Sequence, residues 1–160
     1  MTLPLSGRSE LLISELDRRI LVLDGAMGTA IQARDLTAAD FGGPDLEGCN
    51  ENLVLTRPDV IRDIHEGYLK SGCDIIETNT FGGTRLVLDE YQLGSKTYEI
   101  NFQAARIART LAERYSTPKQ PRFVAGSIGP TTKAITVTGG VTFTQLIQEF
   151  YLQAKALLEG

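Results

Sequence analysis

Ile20-Leu21-Val22-Leu23-Asp24-Gly25-Ala26-Met27-Gly28-Thr29 runs four apolar residues into an aspartate and a glycine-flanked turn. With this pattern a buried parallel strand delivers a carboxylate to the ligand-binding end of a sheet, so the stretch predicts a strand over 20–24. Two later stretches repeat the plan. Asp74-Ile75-Ile76-Glu77-Thr78-Asn79-Thr80-Phe81-Gly82-Gly83 and Arg122-Phe123-Val124-Ala125-Gly126-Ser127-Ile128-Gly129-Pro130-Thr131 also turn from apolar residues to polar groups and glycine. Three strands that become polar at the same end describe one wall of a site.

Helical signals separate the strands. Leu11, Leu12 and Leu16 recur at helical spacing within 9–19, with Glu10, Glu15 and Asp17 outside. Residues 27–34 read as a short helix and 35–56 as a long irregular connection, a kind of segment that usually carries function or forms a lid. Thr56-Arg57-Pro58-Asp59 is a helix start; Ile61, Ile64 and Tyr68 mark one face, and Ser71-Gly72 ends it. Residues 84–91 read as helical. The clearest helix is 97–115, where Ile100, Ala104, Ile107, Ala108, Leu111 and Tyr115 follow the i, i+3/i+4, i+7 rule until Thr117-Pro118-Lys119-Gln120-Pro121 breaks it. A second long loop covers 127–141. Thr142-Phe143-Thr144-Gln145 has capping-box spacing. Phe143, Leu146, Ile147, Phe150, Ala154, Leu157 and Leu158 form the expected buried stripe of the last helix, which Gly160 would terminate. The order α-β-α-β-α-α-β-α, with crossover helices, predicts an α/β fold with parallel strands. Residues 1–8 are expected to be a frayed tail.

The 160 residues are 42% hydrophobic and 22% charged, with a net charge of −4, values that suit one globular domain. The acidic balance argues against nucleic acid or an anionic membrane as partner. No apolar run approaches the ~20 residues that cross a bilayer, and residues 1–10 lack the apolar core of a signal peptide. Two cysteines, Cys49 and Cys73, indicate no disulfide framework, so a reducing cytoplasm is the expected compartment. A single histidine excludes a His-rich metal site.

Five blocks in order carry a resemblance: LDGAMGT (23–29), ENLVLTRPDVI (51–61), SGCDIIETNTFGGT (71–84), EINFQAARIAR (99–109) and AGSIGPTTK (125–133). Together they resemble the homocysteine S-methyltransferase family, in particular the amino-terminal homocysteine-binding domain of its cobalamin-dependent methionine synthase branch. The resemblance runs from about residue 20 to 160. It implies a parallel (β/α)8 TIM-barrel fold, with about the first three βα units in this chain, preceded by a tail and helix over 1–19. It also implies that homocysteine sits at the carboxyl ends of the strands, its sulfur on a zinc ion held by three cysteines. The zinc lowers the thiol pKa, and the thiolate takes the methyl group of methylcobalamin, carried on a separate module and recharged from 5-methyltetrahydrofolate. The family's zinc cysteines lie in the second half of the barrel, and neither Cys49 nor Cys73 matches them. Two alternatives remain open: a betaine- or S-methylmethionine-dependent methyltransferase, and a non-catalytic homocysteine-binding half-barrel. The sequence stops where the alternation calls for another strand. The isolated chain is therefore expected to be inactive and aggregation-prone, or to need a complementing chain.

Asp24 has two readings, a contact to the homocysteine amino group, as the resemblance implies, or a cap for the next helix at Ala26 or Met27. Gly25 and Ala26 carry the amides that, by resemblance, receive the amino-acid carboxylate. Asn79 and Thr80 lie toward the rim of the second strand. Phe81 could wall the aliphatic chain of the substrate or simply pack. Glu77 reads as a buried acid that either bonds within the polar interior, the favoured structural reading, or lines the site. Gly126 and Ser127, with Gly129, Pro130 and Thr131, form a small-residue loop that by resemblance borders homocysteine; its plain reading is a tight turn. Cys73 falls at the opposite end of the strand and Cys49 on the ligand side without partners, so both are expected to be free thiols. His65 shares the Ile61/Ile64/Tyr68 face and is expected to be a half-buried, satisfied core histidine. Lys133 is expected to face solvent. No residue is assigned a catalytic or metal-ligating role.

Overall fold

The computed structural model describes residues 7–136 and 139–160. Its elements are α1 (Gly7–Arg18), α2 (Met27–Gln32), α3 (Ala38–Phe41), α4 (Leu53–Thr56), α5 (Pro58–Lys70), β1 (Ile75–Glu77), α6 (Arg85–Leu88), α7 (Thr97–Tyr115), β2 (Phe123–Ala125) and α8 (Phe143–Glu159). Short 3-10 turns punctuate the 35–56 connection at Pro44–Leu46 and Asn50–Asn52. Residues 1–6 of the expected tail and Val137 and Thr138 of the expected second loop lie outside the described residues. Residues 7 and 8, expected to fray, open α1 instead.

β1 and β2 pair in parallel, with Ile75 opposite Phe123, Ile76 opposite Val124 and Glu77 opposite Ala125. Parallel pairing needs a crossover, and α6 and α7 provide it. The 20–24 stretch departs from the expected buried strand. Leu23 makes one parallel bridge to Ile75. Around it Asp24 N–H donates to the Ile75 carbonyl at 2.9 Å, and the Asp74 and Ile75 N–H groups donate to the Val22 carbonyl at 2.7 and 3.1 Å. Its direction and neighbour are those of a strand, yet Ile20, Val22 and Leu23 are 88%, 54% and 47% exposed. Pleating sends alternate side chains to opposite faces. Among the described residues α5 and α7 pack against the Ile76 and Val124 side of the sheet. The other side is covered at Phe123, where Arg8 of α1 lies over the ring, and neither cover reaches Val22 and Leu23.

The core lies between the Ile76 side of the sheet and α5 and α7, built from Ile61, Ile64, Leu69, Ile76, Ile100, Ala104, Ala108 and Leu111. Pro58 opens α5 at its first turn, where the missing N–H would have no partner in any case. Gly72 follows its last turn at φ +103°, a conformation that glycine adopts without a Cβ clash. At the amino ends of the strands, α1 is riveted down by charge. Arg19 donates to both Asp74 oxygens at 2.8 and 3.0 Å and to Glu15 at 2.8 Å. Asp74 also accepts the Val22 N–H at 2.9 Å, and Arg122 spans to the carbonyls of Gly72 and Cys73.

The start of α8 follows the sequence pattern: the Gln145 N–H donates to Thr142 Oγ1 at 3.2 Å, and the Thr142 N–H donates to Gln145 Oε1 at 2.8 Å. Its expected apolar stripe is not the buried one. Phe143, Ile147 and Leu158 are exposed, whereas Glu149, Gln153 and Ala156 are buried. Polar partners fix the rotation. Arg85 binds Glu149, and the Thr80 carbonyl binds Gln153.

Candidate functional site

Past Glu77 the main chain remains in the ladder for one more bond, Thr78 N–H to the Ala125 carbonyl at 2.9 Å. The side chains then close a ring. Thr80 Oγ1 donates to the Ser127 carbonyl at 2.8 Å and the Ser127 N–H donates to Thr78 Oγ1 at 3.0 Å. The 2.6 Å contact between the two hydroxyls therefore carries the Thr78 proton. Gly129 N–H donates to the Phe81 carbonyl at 2.9 Å. From the other side Asn79 Nδ2 donates to the Asn50 carbonyl, and Glu51 Oε1 accepts the Gly82 N–H, both at 2.7 Å. The turn after β1 is thus laced to the long 35–56 connection on one flank and to the loop after β2 on the other.

Asp24 enters from the neighbouring stretch, its Oδ2 accepting the Glu77 N–H at 3.0 Å. No side chain caps α2, so the capping role weighed for Asp24 does not hold. Burial, reinforced by the nearby Glu77 charge and opposed by the Glu77 N–H bond, pushes the Asp24 carboxyl up to about 6. Glu77 itself is exposed, not the buried acid expected, because it points away from the side of the sheet that α5 and α7 cover. Gly25 lies beside Tyr68: a Cβ there would stand 3.2 Å from the phenol oxygen. That phenol donates to the Ala26 carbonyl at 3.4 Å.

Asp24, Gly25, Ala26, Asn79, Thr80, Phe81 and Ser127 consequently gather at one end of the sheet. Their surroundings differ. Thr80 is fully buried with its hydroxyl consumed by the ring, Asn79 is 6% exposed, and Phe81 projects at 61% exposure. Gly126 stands apart. It borders a cleft of ≈ 640 Å³ on the α8 side of β2, with Thr78, Val124, Ile128 and Leu157, and Asp24 and Asn79 do not line that cleft.

No three His, Cys, Asp or Glu side chains come together as metal ligands among the described residues. Cys49 and Cys73 are free and buried, and burial pushes each thiol up to about 11, so neither offers a thiolate at neutral pH. This donor set does not fit a zinc site. Lys133 is exposed. His65 is fully buried rather than half-buried, and neither ring nitrogen has a partner. Four residues of the site have no individual role legible in the sequence: Asn50, Glu51, Asn101 and Gln153, although Glu51 and Asn101 lie inside the blocks ENLVLTRPDVI and EINFQAARIAR. Asn101 left a trace, a polar residue between Thr97 and Ala104 on the most regular apolar face in the chain. Gln153 left none.

A parallel α/β sheet whose strand ends meet in one polar rim defines the class of site. The sequence model of the homocysteine S-methyltransferase family matches residues 21–160, and the chain belongs to that family. Methionine synthase of Mycobacterium tuberculosis (strain ATCC 25618 / H37Rv) is 43% identical over 150 residues, 93% of this chain and 12% of that protein. Methionine synthase of Mycobacterium leprae (strain TN) is 42% identical over the same share of each. The chain thus spans 12% of the length of these relatives. The fold is shared with the metallated form of the homocysteine methyltransferase MmuM from Escherichia coli, at TM-score 0.72 and 22% identity, over 92% of this chain and 53% of that one. No helix among the described residues is long and apolar enough to cross a membrane.

Proposed function

We propose that residues 20–160 form the amino-terminal part of a homocysteine S-methyltransferase (β/α)8 barrel, and that their polar rim binds and orients homocysteine for methylation at sulfur to give methionine. In this reading the Asp24 carboxylate receives the substrate ammonium, and the Gly25 and Ala26 amides receive its carboxylate. Asn79, Thr80 and Ser127 hold the shape of the rim, and the exposed Phe81 ring lies along the aliphatic chain. Gly126, which borders the neighbouring cleft, contributes by letting Leu157 of α8 pack close behind the Ser127 loop. The resemblance to the cobalamin-dependent branch and the methionine synthase relatives support methylcobalamin, recharged from 5-methyltetrahydrofolate, as donor. The described residues do not suit zinc, so their share of the reaction is binding and orientation. Zinc, cobalamin and folate belong to other parts of the full protein, in the cytoplasm.

The observation that carries this reading is Asp24 itself, a carboxyl desolvated to about 6 at the end where the three chain segments meet. Such a group is protonated below that pH and cannot pair with an ammonium. Homocysteine affinity measured by calorimetry should therefore fall about tenfold per unit as pH drops below 6, and level off above it. Asp24→Asn, which keeps an acceptor for the Glu77 N–H, should weaken binding at least tenfold and flatten the profile. Unchanged binding by Asp24→Asn would refute the assignment. Stoichiometric zinc uptake by this chain would refute the placement of the metal elsewhere.

A further inference from the structure

We propose that Gln153 and Asn101, two amides carried on α8 and α7, are positioning residues that set the Thr80–Gly83 turn of the homocysteine site; the inference rests on the reading of that site given above. Both are 0% exposed. Gln153 Nε2 donates to the Thr80 carbonyl at 2.8 Å. Asn101 Nδ2 donates to the Gly83 and Thr97 carbonyls at 2.7 Å each.

Two features distinguish this pair from routine pairing of buried backbone. The Thr80 carbonyl already accepts the Gly83 N–H at 2.9 Å, so Gln153 brings a second donor to an acceptor that has one. The amide oxygens, Asn101 Oδ1 and Gln153 Oε1, are buried with no partner, a penalty that an apolar side chain of similar size would avoid. What an amide supplies in return is a directed donor. Gly83 is shaped to receive it. A Cβ there would stand 2.6 Å from Asn101 Oδ1, 2.7 Å from Gln153 Nε2 and 2.9 Å from the Thr80 carbonyl. Only glycine lets both amides close on the turn. With Glu51 on the Gly82 N–H and Gly129 on the Phe81 carbonyl, the turn is gripped from front and back. The packing of α8 is thereby coupled to the geometry of Asn79 and Phe81, where a misplacement of about 1 Å can lower activity on the order of 100-fold.

The test uses the whole chain with Gln153→Leu, Asn101→Leu and Gln153→Glu, following homocysteine affinity by calorimetry and amide hydrogen exchange by NMR. Gln153→Leu and Asn101→Leu should weaken homocysteine about tenfold and speed exchange at Gly82 and Gly83 at least tenfold, leaving α5 amides unchanged. Ionised, the glutamate of Gln153→Glu cannot donate to the Thr80 carbonyl; protonated, it can. Its affinity and its exchange rate at Gly83, each taken relative to wild type at the same pH, should therefore both return toward the wild-type values on acidification. Equal acceleration throughout α5 and α7, or no change at Gly82 and Gly83, overturns the proposal. Should the leucine variants fail to fold, absence of acid recovery in Gln153→Glu overturns it alone. A wild-type chain that binds no homocysteine refutes the site reading, while the exchange measurements still decide whether these amides hold the turn.

Discussion

His65 occupies the inward face of α5 with neither ring nitrogen hydrogen-bonded. Burial holds its pKa down at about 4 against 6.5 for the free side chain. Between those values the unfolded chain takes up a proton that the folded chain refuses. Stability is therefore unaffected by this residue above about pH 6.5 and declines as pH falls toward 4, by on the order of 3 kcal/mol. In His65→Leu that decline should be missing: denaturation at pH 5 should find the variant more stable than wild type, with the gap closing toward pH 7.5. An unchanged acid slope would place the loss on another group. The spacing of Ile61, Ile64 and Tyr68 discloses which way His65 points, but its missing partner depends on what the neighbouring elements bring, which periodicity does not record. The same division runs through the site. The placement of Asp24 and Asn79 at the strand ends is legible because each follows an apolar run that the ladder extends. Glu51, Asn101 and Gln153 act through contacts 18 to 73 residues away in sequence, which no local pattern encodes.

At the scale of elements, α5, α7 and α8 lie within a residue or two of where caps, proline and apolar periodicity put them. What periodicity leaves undecided is the rotation of a helix that is apolar on more than one side. α8 resolves it through Glu149, buried at 2% exposure and bound by Arg85 Nε and Nη2 at 3.0 and 2.6 Å on a single oxygen. Removing the cation strands a buried carboxylate, a change that typically costs about 3–5 kcal/mol. Arg85 is half exposed and water screens it, so Arg85→Ala should lose about 2–3 kcal/mol in urea denaturation at pH 7. Adding Glu149→Gln in that background should restore part of the loss, since a neutral amide needs no counter-ion. A loss below about 0.5 kcal/mol would mark the pair as an ordinary surface bridge and leave the rotation of α8 to Gln153 and packing. The 20–24 stretch is the converse case. Its apolar run fixes its direction and neighbour, yet burial belongs to the layer that covers it, and its own residues cannot supply that.

For the molecule as a whole, the alternation of elements makes the parallel α/β class legible, and the apolar surface it exposes makes a measurable contrast with its packed interior. Val22, Leu23, Phe143, Ile147, Tyr151 and Leu158 are all more than 45% exposed, along the 20–24 edge of the sheet and the outer face of α8. Apolar surface of that kind binds hydrophobic dyes or other apolar surface. Cys49 and Cys73, by contrast, are 1% and 5% exposed, with thiols that burial keeps protonated. The two reporters separate a packed domain with uncovered apolar surface from a collapsed chain without fixed packing, because both states bind anilinonaphthalene sulfonate but only the second surrenders its buried thiols. At pH 8 the native chain should bind the dye strongly while both cysteines react slowly with a disulfide reagent, then react at once in guanidinium. Ile147→Lys with Leu158→Lys should reduce dye binding and leave the thiol rates unchanged. If both thiols of the native chain react in the mixing time, the interior between the sheet and α5 and α7 is not held shut by this chain alone, and that apolar surface must be covered before the rim can form.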